Sequence, residues 1–217
     1  MTRRPALLWW GIGCVLAAMA LGAAMTAPGP DIPSAMDRGW NRLMIGIQTP
    51  LLLSFSEVMN EVGGSWAATY VIPLAILAAL LIARRWRAAA FVAVSLLASV
   101  LAVQLLKQLF GRARPEEMLV ISDFGSFPSG HTANAATLAV IAVLLFPRLW
   151  VLIVGIIWTI AMAFSRTLLS VHWLSDTIGG VLVGVGTVLI VGALMLKWVR
   201  RPRSAADMSR TMKRSPE

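Results

Sequence analysis

The chain has 217 residues, 58% of them hydrophobic and 13% charged, with a mean hydropathy of +0.78. A composition this apolar excludes an ordinary soluble domain, which needs far more polar surface. The net charge of +9 does not indicate a nucleic-acid partner, because the basic residues are divided among the ends of apolar segments.

The apolar residues come in long blocks, and no run of short alternating strands suggests a membrane barrel. The expected fold class is therefore all-α: a polytopic membrane helical bundle with six transmembrane helices, plus an amphipathic interfacial helix in the first outer segment. One domain is expected over residues 1–203. Ala6 to Met25 is the first span. It follows Arg3-Arg4 and has the outline of a secretory signal. A run of about 20 residues is nevertheless long enough to cross a bilayer, so an uncleaved helix is expected. Cys14 lies within it; as the only cysteine it leaves no intrachain disulfide.

Thr26 to Ser65 forms the first outer segment, broken early by Pro28, Pro30 and Pro33. From Ser34 onward Met36, Trp40, Leu43, Met44, Ile47 and Leu51 fall near helical spacing, with Asp37, Arg38, Asn41 and Gln48 on other faces. That pattern predicts an amphipathic helix at the interface, serving as packing over the bundle or as a wall that guides lipid.

The remaining spans are Trp66 to Ala83, kinked at Pro73, then Ala88 to Leu106, Thr132 to Phe146, Trp150 to Phe164 and Trp173 to Leu196. Six spans with both termini cytoplasmic put Arg3-Arg4, Arg84 to Arg87, Arg148 and Lys197 to Arg203 on the inner side. Gly180 and Gly184, four apart, permit close helix packing. Residues 204–217 read as a disordered cytoplasmic tail.

Three polar stretches then share the outer face. In the first, Lys107, Arg112 and Arg114 stand where topology disfavours positive charge. Arginine offers a planar fork matched to phosphate oxygens, and lysine a point charge. Pro115 restricts the backbone of Arg114. Arg112 reads as a helper or, preferentially, a solvated charge. In the second, Pro128, Ser129, Gly130 and His131 open the fourth span, where free backbone N–H groups favour an anion. Ser129 suits a helix cap or a donor to phosphate. His131 suits proton transfer near neutral pH, although a single histidine at a helix end is more often structural. In the third, Asp176 follows His172 by four positions. A carboxylate there can fix one ring nitrogen and leave the other as a nucleophile or base, or it can cap or neutralise the start of the sixth span. Ser165 and Arg166 close the fifth span beside them.

Together these stretches resemble the type 2 phosphatidic acid phosphatase (PAP2) family of membrane lipid phosphatases, which shares a core with vanadium haloperoxidases. The pattern K-x6-R-P, then P-S-G-H, then S-R-x5-H-x3-D is met at Lys107, Arg114, Pro115, Pro128 to His131, Ser165, Arg166, His172 and Asp176. The motif-bearing core runs from about residue 88 to 196. The resemblance implies a phosphatase that needs neither cofactor nor metal. Lys107, Arg114, Ser129, Gly130 and Arg166 would bind the phosphoryl oxygens. His172 would attack phosphorus, Asp176 would orient it, and His131 would protonate the leaving oxygen. The expected partner is a lipid phosphate or diphosphate in the bilayer, such as undecaprenyl diphosphate, phosphatidylglycerophosphate or phosphatidic acid. The expected location is the plasma membrane, with the site facing outward.

Three alternatives keep some of these features. A phosphohistidine can pass its group to another hydroxyl, giving a phosphotransferase. Bound vanadate could oxidise halide in the same pocket, which the six-span body disfavours. A transporter would place charges at several depths of the bilayer, whereas the spans here are nearly free of them.

Overall fold

The computed structural model describes residues 3–27, 29, 32–64, 70–122 and 124–200. These form eight helices and no strand: α1 (Arg3–Thr26), α2 (Ala35–Gly46), α3 (Pro50–Gly64), α4 (Ile72–Ile82), α5 (Trp86–Phe110), α6 (Gly130–Leu145), α7 (Leu149–Leu168) and α8 (Leu174–Val199). α1, α5, α7 and α8 are long and apolar enough to cross a membrane, since about 20 helical residues span the hydrocarbon layer. They correspond to the first, third, fifth and sixth expected spans. The second and fourth correspond to shorter apolar helices, α4 and α6. α6 is short because its N-terminus is spent on the Pro128-Ser129-Gly130 turn and its C-terminus stops before Pro147. Pro73 stands in the first turn of α4, where a missing N–H is tolerated. The expected start of that span at Trp66, and the expected tail at 204–217, lie outside the described residues.

α8 is the central helix, packed by α1, α5 and α6. Its glycines set how closely the neighbours approach. A Cβ on Gly180 would lie 2.5 Å from the Ser129 carbonyl oxygen, and one on Gly184 would collide with the Ala133 carbonyl. Small residues at helix contacts are how bundles pack when the surrounding solvent is itself apolar. The same solvent explains an inverted polarity. Ser95, Ser99 and Thr137 are buried, with Ser99 Oγ 2.8 Å from Thr137 Oγ1, while Leu97, Leu101, Leu105 and Leu109 on α5 face outward.

One end of the bundle is basic. Arg4 Nε donates to the Ala193 carbonyl at 3.0 Å, Arg200 Nη2 to the Leu144 carbonyl at 3.1 Å, and Trp86 meets Trp198 edge-on at 5.1 Å. The opposite end collects the C-termini of α5 and α7 and the N-termini of α6 and α8.

The first outer segment holds two helices where one was expected. Ile47 to Thr49 leave helical geometry, and Pro50 opens α3. Ser34 caps α2: its Oγ accepts the Asp37 N–H at 3.1 Å and donates to Asp37 Oδ2 at 2.9 Å. The face of α2 turned inward carries Asp37, Asn41 and Met44, all buried, while Met36, Leu43 and Ile45 are exposed together with Arg38 and Arg42.

Candidate active site

Lys107 lies in the last turn of α5, buried, with Nζ donating to the Gly125 carbonyl at 3.0 Å. Gly125 has φ +73°, and a Cβ there would sit 3.2 Å from the Lys107 carbonyl oxygen. Glycine therefore lets the loop close on the helix end. Arg114 ties this loop to the one between α7 and α8. Its Nη1 donates to the Val171 carbonyl at 2.6 Å and lies 3.2 Å from His172 Nε2; its Nη2 donates to the Gly125 carbonyl at 3.0 Å. The first and third polar stretches thus meet, as the sequence led one to expect.

His172 is buried in the bend just ahead of α8, turned in by Ser170, whose φ of 51° is left-handed. Its two ring nitrogens see different surroundings. Nε2 faces Arg114, and Nδ1 lies 3.5 Å from Asp176 Oδ2. The sequence left Asp176 two roles, a hydrogen-bond partner for His172 or a cap at the helix start. α8 begins at Leu174, and Asp176 caps it, Oδ2 accepting the Trp173 N–H at 2.8 Å. Oδ1 accepts from Arg112 at 2.6 Å. Both carboxylate oxygens hold strong donors, so His172 Nδ1 stands close without a hydrogen bond. Burial, followed by the charges of Arg114, Arg166 and Lys107, holds the His172 pKa well below the ordinary 6.5, against a backbone hydrogen bond to Ser126. A neutral imidazole follows, and only that form has a free electron pair.

Gly130 and His131 form the first residues of α6, and Arg166 the last turn of α7. Arg166 is buried and donates through Nη1 to Asn60 Oδ1 on α3. Asn60, Lys107, Gly130, His131, Arg166 and His172 line one cavity of about 330 Å³, within the roughly 300–1,000 Å³ usual for small-molecule sites. Arg114, Ser129 and Asp176 are not on its wall. Ser129 is the N-cap of α6, but its Oγ pairs with Thr132 Oγ1 at 3.1 Å, while its N–H donates to the Asp176 carbonyl at 2.9 Å.

Arg112 corrects the sequence reading. It is 1% exposed, not solvated. Nη2 binds Asp37 Oδ2 at 2.7 Å and Nη1 binds Asp176 Oδ1 at 2.6 Å. A guanidinium taken out of water needs this compensation. Asp37, fully buried, also accepts the Ser175 N–H at 3.0 Å and the Ser175 hydroxyl at 2.7 Å. Burial pushes the Asp37 pKa up, but the Arg112 and Ser175 donors and the Arg112 charge outweigh it, so the carboxyl falls below its usual value. Asp37 and Asn60 were both missed. The available signal was the third cation in the first stretch, which required a counter-charge in the outer segment.

Among the described residues no three His, Cys, Asp or Glu side chains gather as metal ligands. The charged side chains on the cavity wall, Lys107 and Arg166, are cations.

The sequence model of the PAP2 superfamily matches residues 88–200. An undecaprenyl-diphosphatase of Sulfolobus acidocaldarius is 42% identical over 59 residues, which are 27% of this chain and 28% of that one. A lipid A 4'-phosphatase of Bacteroides thetaiotaomicron is 33% identical over 58 residues, 27% of this chain and 26% of that one. The chain thus matches only about a quarter of the length of either relative. The crystal structure of a transmembrane PAP2-type phosphatidylglycerolphosphate phosphatase from Bacillus subtilis superposes with a TM-score of 0.75. It is 24% identical and covers 90% of this chain and 100% of its own. Aquifex aeolicus LpxE superposes with a TM-score of 0.62 at 23% identity, over 76% and 96% of the two chains. At these identities the likeness is one of fold.

Proposed function

Because the chain belongs to the PAP2 superfamily, we propose that it is an integral-membrane lipid phosphatase, hydrolysing a phosphate or diphosphate head through a phosphohistidine. The observation that carries this reading is the single cavity in which His131 and His172 share a wall with Lys107 and Arg166. Fixed cations stabilise the oxygens of a phosphoryl group in transit and need no rearrangement as the charge moves. Arg114 holds the His172 loop and lends its charge at Nε2. Gly130 offers the N–H groups of the α6 start.

In the first step His172 Nε2 bonds to phosphorus as the bond to the leaving oxygen breaks, and His131 protonates that oxygen. In the second, His131 takes a proton from water, the oxygen bonds to phosphorus, the P–N bond breaks and inorganic phosphate leaves. Asp176 offsets the positive charge on the phosphorylated ring. The wall supplies its own positive charge, so the reading requires no metal.

The proposed topology has six spans, α4 and α6 included, with α2 at the interface. The basic end lies in the cytoplasm and the cavity at the outer surface. Substrates of the polyprenyl diphosphate, phosphatidylglycerophosphate and phosphatidic acid types fit a polar cavity at the end of an apolar bundle.

The test is product analysis on purified protein in detergent with each lipid labelled at its terminal phosphate. Free labelled phosphate is expected. Label transferred to an acceptor lipid would make the protein a phosphotransferase, and no turnover of any of the three by folded protein would overturn the reading.

A further inference from the structure

Asp37 opens α2, 51 positions before residue 88, where the family match begins. It is as deeply buried as any residue of the site. A guanidinium ordinarily sets both arms of its fork on one carboxylate. Here the fork is divided. Nη2 goes to Asp37 Oδ2 at 2.7 Å, and Nη1 goes to Asp176 Oδ1 at 2.6 Å and to Ser175 Oγ at 2.7 Å. Asp176 Oδ2 is left to the Trp173 N–H and to the approach of His172 Nδ1 at 3.5 Å.

We propose that Asp37 and Arg112 are positioning residues for His172, acting through Asp176. The proposal rests on the phosphatase reading and extends it to a helix outside the matched core. Without the Asp37 charge, Nη2 keeps at most a neutral acceptor, and Arg112 turns onto both oxygens of Asp176. Oδ2 is then drawn from His172. The charge arrangement points the same way: on the Nδ1 side the two carboxylates outnumber the one guanidinium between them, opposite the Arg114 cation at Nε2. Buried ion triads are poor sources of stability, and a specified geometry is the better reason to keep one. Ser175 fixes the triad further by donating both its N–H and its hydroxyl to Asp37. The ring of Trp173 lies 5.8 Å from the Arg112 guanidinium carbon.

The experiment has two readouts on the full-length protein in detergent. The first is phosphate release from farnesyl diphosphate by wild type, Asp37→Asn, Asp176→Asn and the double variant. Asp37→Asn should lower kcat about 10- to 100-fold, the size of effect that partners one layer out have at preorganised sites, with KM little changed. In the Asp176→Asn background it should add nothing, because both act on one element. The second is the ¹⁵N spectrum of the imidazoles. The chain has 2 histidines, so His131→Gln assigns both. Asp37→Asn should displace the His172 nitrogens in the direction Asp176→Asn does. Arg112→Lys keeps the charge and removes the fork. It should reproduce both effects, and it serves if Asp37→Asn does not fold. Additive losses in kcat, a rise in KM with kcat kept, or unmoved His172 signals would each overturn the proposal. Wild type that releases no phosphate from farnesyl diphosphate, phosphatidylglycerophosphate or phosphatidic acid would defeat the phosphatase reading alone, with the ring signals still deciding this one.

Discussion

Asp37 and Arg112 stand 75 positions apart in the sequence and 2.7 Å apart in space. That contact joins the outer segment to the loop after α5. Through Asp176 it joins both to the start of α8, beside the residue read as nucleophile. The surroundings of His172 are therefore assembled from more of the chain than the three polar stretches.

The lowered pKa of His172 has a pH signature. Its folded value lies below the ordinary 6.5, so the unfolded chain takes up a proton first as pH falls. Stability should accordingly decline as pH drops from about 6.5 toward the folded pKa, and the acid limb of kcat/KM should lie below 6.5 as well. Arg114 is the largest electrostatic cause and Lys107 the smallest of the three. Histidine NMR should show Arg114→Gln raising the His172 pKa more than Lys107→Gln does.

Asn60 holds the Arg166 guanidinium through its side-chain oxygen. A hydrogen bond to a charged group contributes about 1.5–3 kcal/mol. Asn60→Ala should cut kcat/KM for a lipid phosphate by about tenfold or more, mostly as a higher KM. Steady-state kinetics with Asn60→Asp as the comparison would check it. An unchanged KM in the alanine variant would remove Asn60 from the site.

Gly184 brings α8 onto the backbone of α6, with Ala133 in direct contact. α6 carries His131, and α8 follows His172. Gly184→Leu should destabilise the bundle by about 1–3 kcal/mol through overpacking, and should reduce turnover by parting the two histidines. Thermal unfolding in detergent alongside phosphate release is the check. Wild-type values in both would show that the close approach is not needed.

Much of this arrangement was legible in the sequence. Lys107, His131, Arg166 and His172 stood out because charged or imidazole groups at the mouths of apolar runs need a reason to be there. α1, α5, α7 and α8 were legible from length alone. The orientation of α2 was not. Helical spacing separates the face of Asp37 and Asn41 from that of Met36 and Leu43, but which face turns inward depends on distant partners, Arg112 for Asp37 and Glu117 for Asn41. Nor could spacing decide between the two roles open to Asp176; α8 starts two residues after His172, and Asp176 caps it. The burial of Arg112 depended on a carboxylate 75 positions away, which local pattern cannot identify.

Orientation in the membrane has its own test. In a Cys14→Ser background, Glu116→Cys should react with an impermeant maleimide added to intact cells. Arg84→Cys, at the basic end, should react only after permeabilisation. The reverse pattern would turn the cavity toward the cytoplasm.

The most direct test of the central claim is to trap the covalent intermediate. Protein mixed with a lipid diphosphate labelled at the terminal phosphate, quenched in alkali within a turnover and mapped by mass spectrometry, should carry the label on His172. His172→Ala should carry none and release no phosphate. Label on another residue, or near-normal turnover by folded His172→Ala, would contradict the account.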